Sequence, residues 1–200
     1  MSTQPYHRHP LGLPPGSVRA ILALGIAVQF WVYLFSATKH IPLYIDFLLV
    51  LVPPFFAAHG STVGTSTGAT ANPLYLPRGT FRFLIFLGTI ALVGYQYYLD
   101  PQELLEKLTP APDRLHEWPY LLLSLIGGMT LGFLIGKGPW RSSPYFQDVQ
   151  AWLSLLALLA FCAELLMDFV IRPANDPLGN RLIWHSALVA ILAFYFSSRS

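Results

Sequence analysis

"LPPGSVRAILAL" at residues 13–24 and "LPRGTFRFLIFL" at residues 76–87 write one pattern twice, 63 positions apart (76 less 13). Both read Leu-Pro-x-Gly-[Ser/Thr]-x-Arg and then run into apolar sequence: Leu13, Pro14, Gly16, Ser17 and Arg19 in the first copy, Leu76, Pro77, Gly79, Thr80 and Arg82 in the second. Proline and glycine interrupt regular structure upstream, and a Ser or Thr oxygen accepts a bond from an amide that the first helical turn leaves unpaired. Each copy is therefore a helix start, and the apolar run behind each is long enough to matter for a membrane.

Composition agrees. Only 11% of the 200 residues are charged and 54% are hydrophobic, whereas soluble domains carry about 25% charged residues. A globule of this size cannot be solvated by so few charges. The apolar residues fall in blocks of the length a bilayer requires, about 20 residues. Six blocks qualify: 18–36, 41–59, 81–99, 118–136, 148–171 and 181–197. The predicted fold is all-α: a polytopic helical membrane protein with six transmembrane helices, forming a single integral membrane domain over residues 1–200. The second span is interrupted by Asp46 and by Pro53 and Pro54 and reads as kinked, since lipid tolerates proline where neighbours satisfy the freed carbonyls. The first block resembles a signal peptide in outline, but its apolar run exceeds the usual h-region of about 7–15 residues, so an uncleaved span is expected.

The paired pattern also predicts that spans one and two, and spans three and four, are hairpin repeats running parallel to each other. Outside the shared signature the likeness fades. With both termini cytoplasmic, seven Lys and Arg residues fall on that side and five on the other, a modest bias in the expected direction. The short loops suggest a bacterial plasma membrane. Residues 101–108, "PQELLEKL", form an amphipathic helix expected at the membrane interface, with Leu104, Leu105 and Leu108 on one side.

Several classes of function are disfavoured. A formal charge of +2 gives no basic patch for nucleic acid. The Gly/Ser/Thr-rich loop "HGSTVGTSTGATANP" lacks the Gly-Lys-[Ser/Thr] ending of a phosphate loop. No GxSxG, HExxH or CxxC motif occurs, which argues against an enzyme, and the single cysteine, Cys162, is expected to be a small buried apolar residue. No cofactor is expected; His59 and His185 fall in opposite halves of the membrane, which suits haem poorly.

Three sets of residues remain. Arg19 and Arg82 sit in first helical turns, where the dipole disfavours positive charge by about 0.3–1 kcal/mol. They read as topological anchors at the headgroups, and as candidate lipid-phosphate anchors, since free amides and a guanidinium together suit an anion. Gly128, Gly132 and Gly136 line one face of span four at intervals of four, the spacing that lets helices approach closely in lipid. That face packs either inside the chain or against a partner membrane protein or second copy.

The third set is ionisable and intramembrane: Asp46, Glu164, Asp168 and His185. Each costs at least about 2.5–3.5 kcal/mol at the bilayer centre and so needs a reason. Counting 1.5 Å per residue along alternating helices puts all four on the non-cytoplasmic side of the midplane, with Gln29, Gln96 and Ser124. They form a candidate ion or proton site, with histidine as the group that titrates near neutral pH; two carboxylates and an imidazole also suit several divalent metals. The favoured reading of these residues is structural: Asp168 pairs with Arg172, and Glu164 and Asp46 are satisfied by His185, Arg181 or a partner subunit. The leading expectation is a non-catalytic scaffold or accessory subunit of a membrane complex, and the alternative a small proton or cation transporter or channel.

Overall fold

A computed structural model describes residues 17–53, 80–137, 144–171 and 181–198. The described residues are helical and contain no strand: α1 (Ser17–Phe35), α2 (Leu43–Val50), α3 (Thr80–Leu99), α4 (Pro101–Leu108), a 3-10 turn (Pro112–Glu117), α5 (Trp118–Gly136), α6 (Pro144–Leu166) running into a π-helical turn (Met167–Ile171), and α7 (Leu182–Ser198). α1 and α3 begin at Ser17 and Thr80, the residues that the repeated pattern marks as helix starts.

Among the described residues, four helical stretches are long and apolar enough to cross a membrane: 17–35, 80–99, the run 101–136 that includes α5, and 151–170. The six-span expectation differs from this at two places. In the second block an eight-residue helix, α2, is followed by a turn at Leu51 and a resumption of helix at Val52 and Pro53, and residues 54–59 lie outside the described residues. The sixth block is apolar, but α7 has 17 residues, about 26 Å at 1.5 Å per residue against a hydrocarbon core of about 30 Å.

The glycines of α5 set a close helix contact. A Cβ on Gly128 would lie 2.5 Å from the Ala190 carbonyl oxygen, one on Gly132 2.5 Å from that of Phe194, and one on Gly136 2.7 Å from that of Ser198. The facing residues advance together, so α5 and α7 run parallel, backbone against backbone, and Ser197 Oγ donates to the Met129 carbonyl at 2.7 Å across the seam. The glycine face is thus occupied by a helix of the same chain.

α1 organises the other side. Trp31 lies against Gly88 and donates from Nε1 to Thr89 Oγ1 at 3.0 Å, and Phe35 meets Tyr95 at 6.3 Å between ring centroids, so α1 and α3 are parallel. The ring of Phe161 fills the space beside Gly25, and Tyr33 reaches Asp168, which makes α6 parallel to α1 as well. Arg19, at the start of α1, donates to the Phe196 carbonyl near the end of α7 at 3.4 Å; α1 and α7 are antiparallel. The buried core is the junction of these helices, with Leu22, Ile26, Leu48, Leu121, Leu188 and Leu192 among its members.

Elsewhere large apolar side chains face outward. Only 11% of the apolar window of α3 is buried, and Phe83, Phe86, Leu87 and Ile90 are exposed along it. Such a surface suits lipid rather than water.

α4 forms where expected. Asp100 caps it, its Oδ1 accepting from the amides of Gln102 at 2.9 Å and Glu103 at 3.0 Å, and Pro101 occupies the first turn, where its missing N–H costs nothing. Its orientation differs from expectation in one respect: Leu104 turns inward beside Lys107, while Leu105 and Leu108 are exposed. The reason is Lys107, whose Nζ donates to the carbonyls of Leu34 at 2.8 Å and Ser36 at 2.9 Å and pairs with Glu103 at 2.8 Å. Those carbonyls are the unpaired acceptors at the end of α1.

Cys162 is exposed, not buried. The inward face of α6 is set by Ser154, Ala157, Phe161 and Glu164, spaced three or four apart, and a residue one position after Phe161 lies about 100° round the helix from it.

The α5–α7 seam gives a direct test. Gly132→Leu forces a side chain into the Phe194 carbonyl and is expected to cost about 1–3 kcal/mol or more, read as a lower thermal midpoint in detergent. Gly127→Leu, where a Cβ meets nothing within 4 Å, is expected to leave the midpoint unchanged.

Candidate functional site

Near the C-terminal ends of α1 and α6 and the N-terminal end of α7, polar side chains from four elements meet. Glu164 is fully buried. His185 Nε2 lies 3.1 Å from its Oε1, and Trp184 Nε1 donates to its Oε2. Because a carboxylate only accepts, Nε2 carries the proton of that bond.

Asp168 is the second centre. Its Oδ2 accepts from Tyr33 Oη at 2.6 Å, Tyr44 Oη at 2.6 Å and Gln29 Nε2 at 3.4 Å. Its Oδ1 accepts from Arg181 NH1 at 3.0 Å. The donors come from α1 (Gln29 and Tyr33), α2 (Tyr44) and the residue just before α7 (Arg181). Gln29 Nε2 also donates to Tyr44 Oη at 2.7 Å.

Tyr44 joins the two centres. Its ring stacks on the imidazole of His185, with centroids 4.2 Å apart and planes at 21°, while its hydroxyl reaches Asp168. Two ion pairs, Glu164–His185 and Asp168–Arg181, therefore share one aromatic neighbour. Among the described residues, two buried atoms at this cluster have no hydrogen-bond partner, Gln29 Oε1 and Arg181 NH2.

Local sequence explains part of this assembly. Glu164 and Asp168 are four residues apart and would share a face of a regular α-helix. Asp168 instead belongs to the π-helical turn Met167–Ile171, whose wider winding changes the direction in which its side chain leaves the axis. Glu164 accordingly finds its partners on α7 alone, while Asp168 reaches α1, α2 and Arg181.

Of the four ionisable residues singled out from sequence, Glu164, Asp168 and His185 are brought together. Asp46 is not joined to them: it is half-buried in the first turn of α2 and shares no side-chain hydrogen bond or ion pair with the cluster. Arg181, not Arg172, is the partner seen for Asp168; Arg172 lies outside the described residues. Among the described residues no three His, Cys, Asp or Glu side chains are grouped to hold a metal ion.

Arg19 is buried, its guanidinium turned inward to the Phe196 carbonyl, and Arg82 is half-buried in the first turn of α3. The end of α7 thus supplies negative dipole density to the cation that opens α1, which offsets the unfavourable placement of Arg19 on its own helix.

Sequence reasoning missed Tyr33, Tyr44 and Trp184, which pass for members of an interfacial aromatic belt. One signal was present: Tyr33 stands four residues after Gln29, so the two polar groups share a face of α1. Nothing local marks Tyr44, because its role depends on which helices pack around it.

Comparison with protein-family models, with curated proteins and with solved structures returns no match. The chemistry of the cluster therefore rests on its own geometry: two carboxylates, one guanidinium, one imidazole and two phenols, shielded from solvent and linked by short bonds.

Removing one member of a buried ion pair leaves the other uncompensated, at a cost of about 3–5 kcal/mol. Glu164→Ala and Asp168→Ala are each expected to lower the thermal midpoint strongly in detergent. Asp46→Ala, which breaks no such pair, is expected to change it little.

Proposed function

We propose that this chain is a six-span membrane protein that handles protons or small cations, a small transporter or channel working through Glu164, Asp168 and His185. The observation that carries this reading is the gathering of these residues with Arg181 and Tyr44 in one buried cluster at one end of the helix assembly. Ionisable groups inside a bilayer are costly and are kept where ions or protons move. A guanidinium stays charged throughout the accessible pH range, and an imidazole is a side chain suited to passing protons, so the cluster sets a fixed Asp–Arg pair beside a Glu–His pair.

Helix directions support the count of six. α1, α3 and α6 share one direction and α5 and α7 the other, which is the order that spans one, three and five against four and six require. The second span would then run from α2 into residues 54–59, and the polar cluster would lie in the non-cytoplasmic half of a plasma membrane with both termini cytoplasmic. On this topology the paired helix starts open two parallel hairpins at the same membrane face; Arg19 is turned inward to the Phe196 carbonyl, so lipid phosphate remains the proposed ligand for Arg82 alone.

Reconstituted vesicles test the transport reading. Under an imposed gradient and potential, the wild-type protein is expected to move protons, Na⁺ or K⁺, and Glu164→Gln to reduce that flux at least tenfold. No flux of any of the three from correctly inserted protein would overturn it. Topology is tested separately with single cysteines introduced at the predicted loops in a Cys162→Ala background: a membrane-impermeant thiol reagent added outside whole cells should label positions near residues 39 and 110 and spare positions near residue 140.

A second reading is a scaffold or accessory subunit of a membrane complex. The glycine face that first suggested a partner is filled by α7, so its support moves to the apolar face of α3 at Phe83, Phe86, Leu87 and Ile90. A photocrosslinking residue in place of Phe86 should give a protein adduct in native membranes if this reading holds, and lipid adducts alone would remove its support.

A further inference from the structure

Two ion pairs that touch one phenol need not behave independently. We propose that Tyr44 is a positioning residue that couples them, so that a change of charge on His185 alters the way Asp168 engages Arg181. The proposal goes beyond the transport reading and stands on the geometry of the cluster.

Tyr44 is almost completely buried, and a phenol has only two side-chain torsions, so its ring and hydroxyl move as one body. One face of that body lies on the His185 imidazole. The hydroxyl bonds to Asp168 Oδ2 and accepts from Gln29. An imidazolium is attracted to an aromatic face more strongly than a neutral imidazole, because a cation–π term is added to the stacking, and with little water between them that difference is weakly screened.

The Asp168 side chain has a second arrangement within reach. Three donors on Oδ2 turn the carboxylate so that Arg181 meets it through NH1 alone. Arg181 NH2 is buried without a partner, although guanidinium and carboxylate favour a two-pronged fork. When Tyr44 withdraws its hydroxyl from Oδ2, rotation of the carboxylate lets Arg181 close that fork and satisfies NH2. The π-helical turn that carries Asp168 departs from the α-helical winding of α6, which makes it a place to accommodate that rotation.

The groups that decide the response can be named element by element. α1 contributes Gln29 and Tyr33, α2 contributes Tyr44, α6 and its π-turn contribute Glu164 and Asp168, and Arg181, Trp184 and His185 come from the start of α7. Asp46, one half-turn from Tyr44 on α2, is the remaining ionisable group nearby in sequence and makes no bond to the cluster.

Infrared difference spectroscopy on the full chain in phosphatidylcholine nanodiscs, with ¹³C-labelled aspartate and the Asp168 band assigned by Asp168→Asn, tests this coupling. The separation of the symmetric and antisymmetric carboxylate stretches distinguishes one-pronged from two-pronged engagement. In the wild-type protein that separation is expected to shift over the same pH interval in which His185 titrates by ¹⁵N magnetic resonance. Tyr44→Phe, which keeps the stacked ring and removes the hydroxyl, is expected to abolish the shift while His185 still titrates. His185→Gln serves as a second variant, with the same loss expected, should Tyr44→Phe not fold.

An Asp168 band that ignores the His185 titration in the wild-type protein, or a shift that survives in Tyr44→Phe, would overturn the coupling. A coupled shift in a protein without any ion flux would retire the transport reading and leave the coupling standing. Flux without a coupled shift would do the reverse.

Discussion

One carboxylate, that of Asp168, accepts four donors from three other parts of the chain, and the placement of the helices around it depends on that satisfaction. A charge in a dry setting is tolerable only when every lone pair that faces the protein is used. Gln29 and Tyr33 hold α1 to it, Tyr44 holds α2, and Arg181 holds the start of α7. Since the apolar side chains of a membrane bundle gain little by exchanging lipid for one another, polar bonds of this kind, with close backbone packing, determine which helices are neighbours.

The opposite end of α7 is held by different physics. Gly128, Gly132 and Gly136 let the two backbones approach so closely that no Cβ would fit between them, an approach at which weak Cα–H···O contacts become available. Two cations then sit at helix C-terminal ends, Arg19 on α7 and Lys107 on α1, where unpaired carbonyls and the dipole both favour positive charge. Lys107 is buried despite belonging to an amphipathic surface helix because those carbonyls offer it better partners than its own helix does. The ionic cluster, the glycine seam and the Arg19 contact thus fix α7 against α1 and α5 along its length, while Lys107 ties α4 to the end of α1.

The helix starts at Ser17 and Thr80, the span from Trp118 to Gly136, and the amphipathic helix opened by Asp100 were all legible because each depends on neighbours in sequence. Capping, proline placement and apolar run length act within a few residues. The grouping of Glu164, Asp168 and His185 was legible too, through counting rise per residue along alternating helices, which restricts depth in the membrane. Depth does not restrict rotation about the helix axis. Asp46 has a similar depth but is not joined to the cluster, and Cys162 faces outward although an apolar block surrounds it in sequence.

The sequence by itself determined that this chain is helical and apolar enough for a membrane, where its principal helices begin, and that Glu164, Asp168 and His185 fall toward one end of them. Tertiary structure alone decided the partners: Arg181 for Asp168, His185 and Trp184 for Glu164, α7 for the glycine face, and Tyr44 as the ring common to both ion pairs. The physical reason is that periodicity places a side chain on a face of its own helix, while its partner is chosen by interhelical packing and by the π-turn at Asp168, which departs from that periodicity.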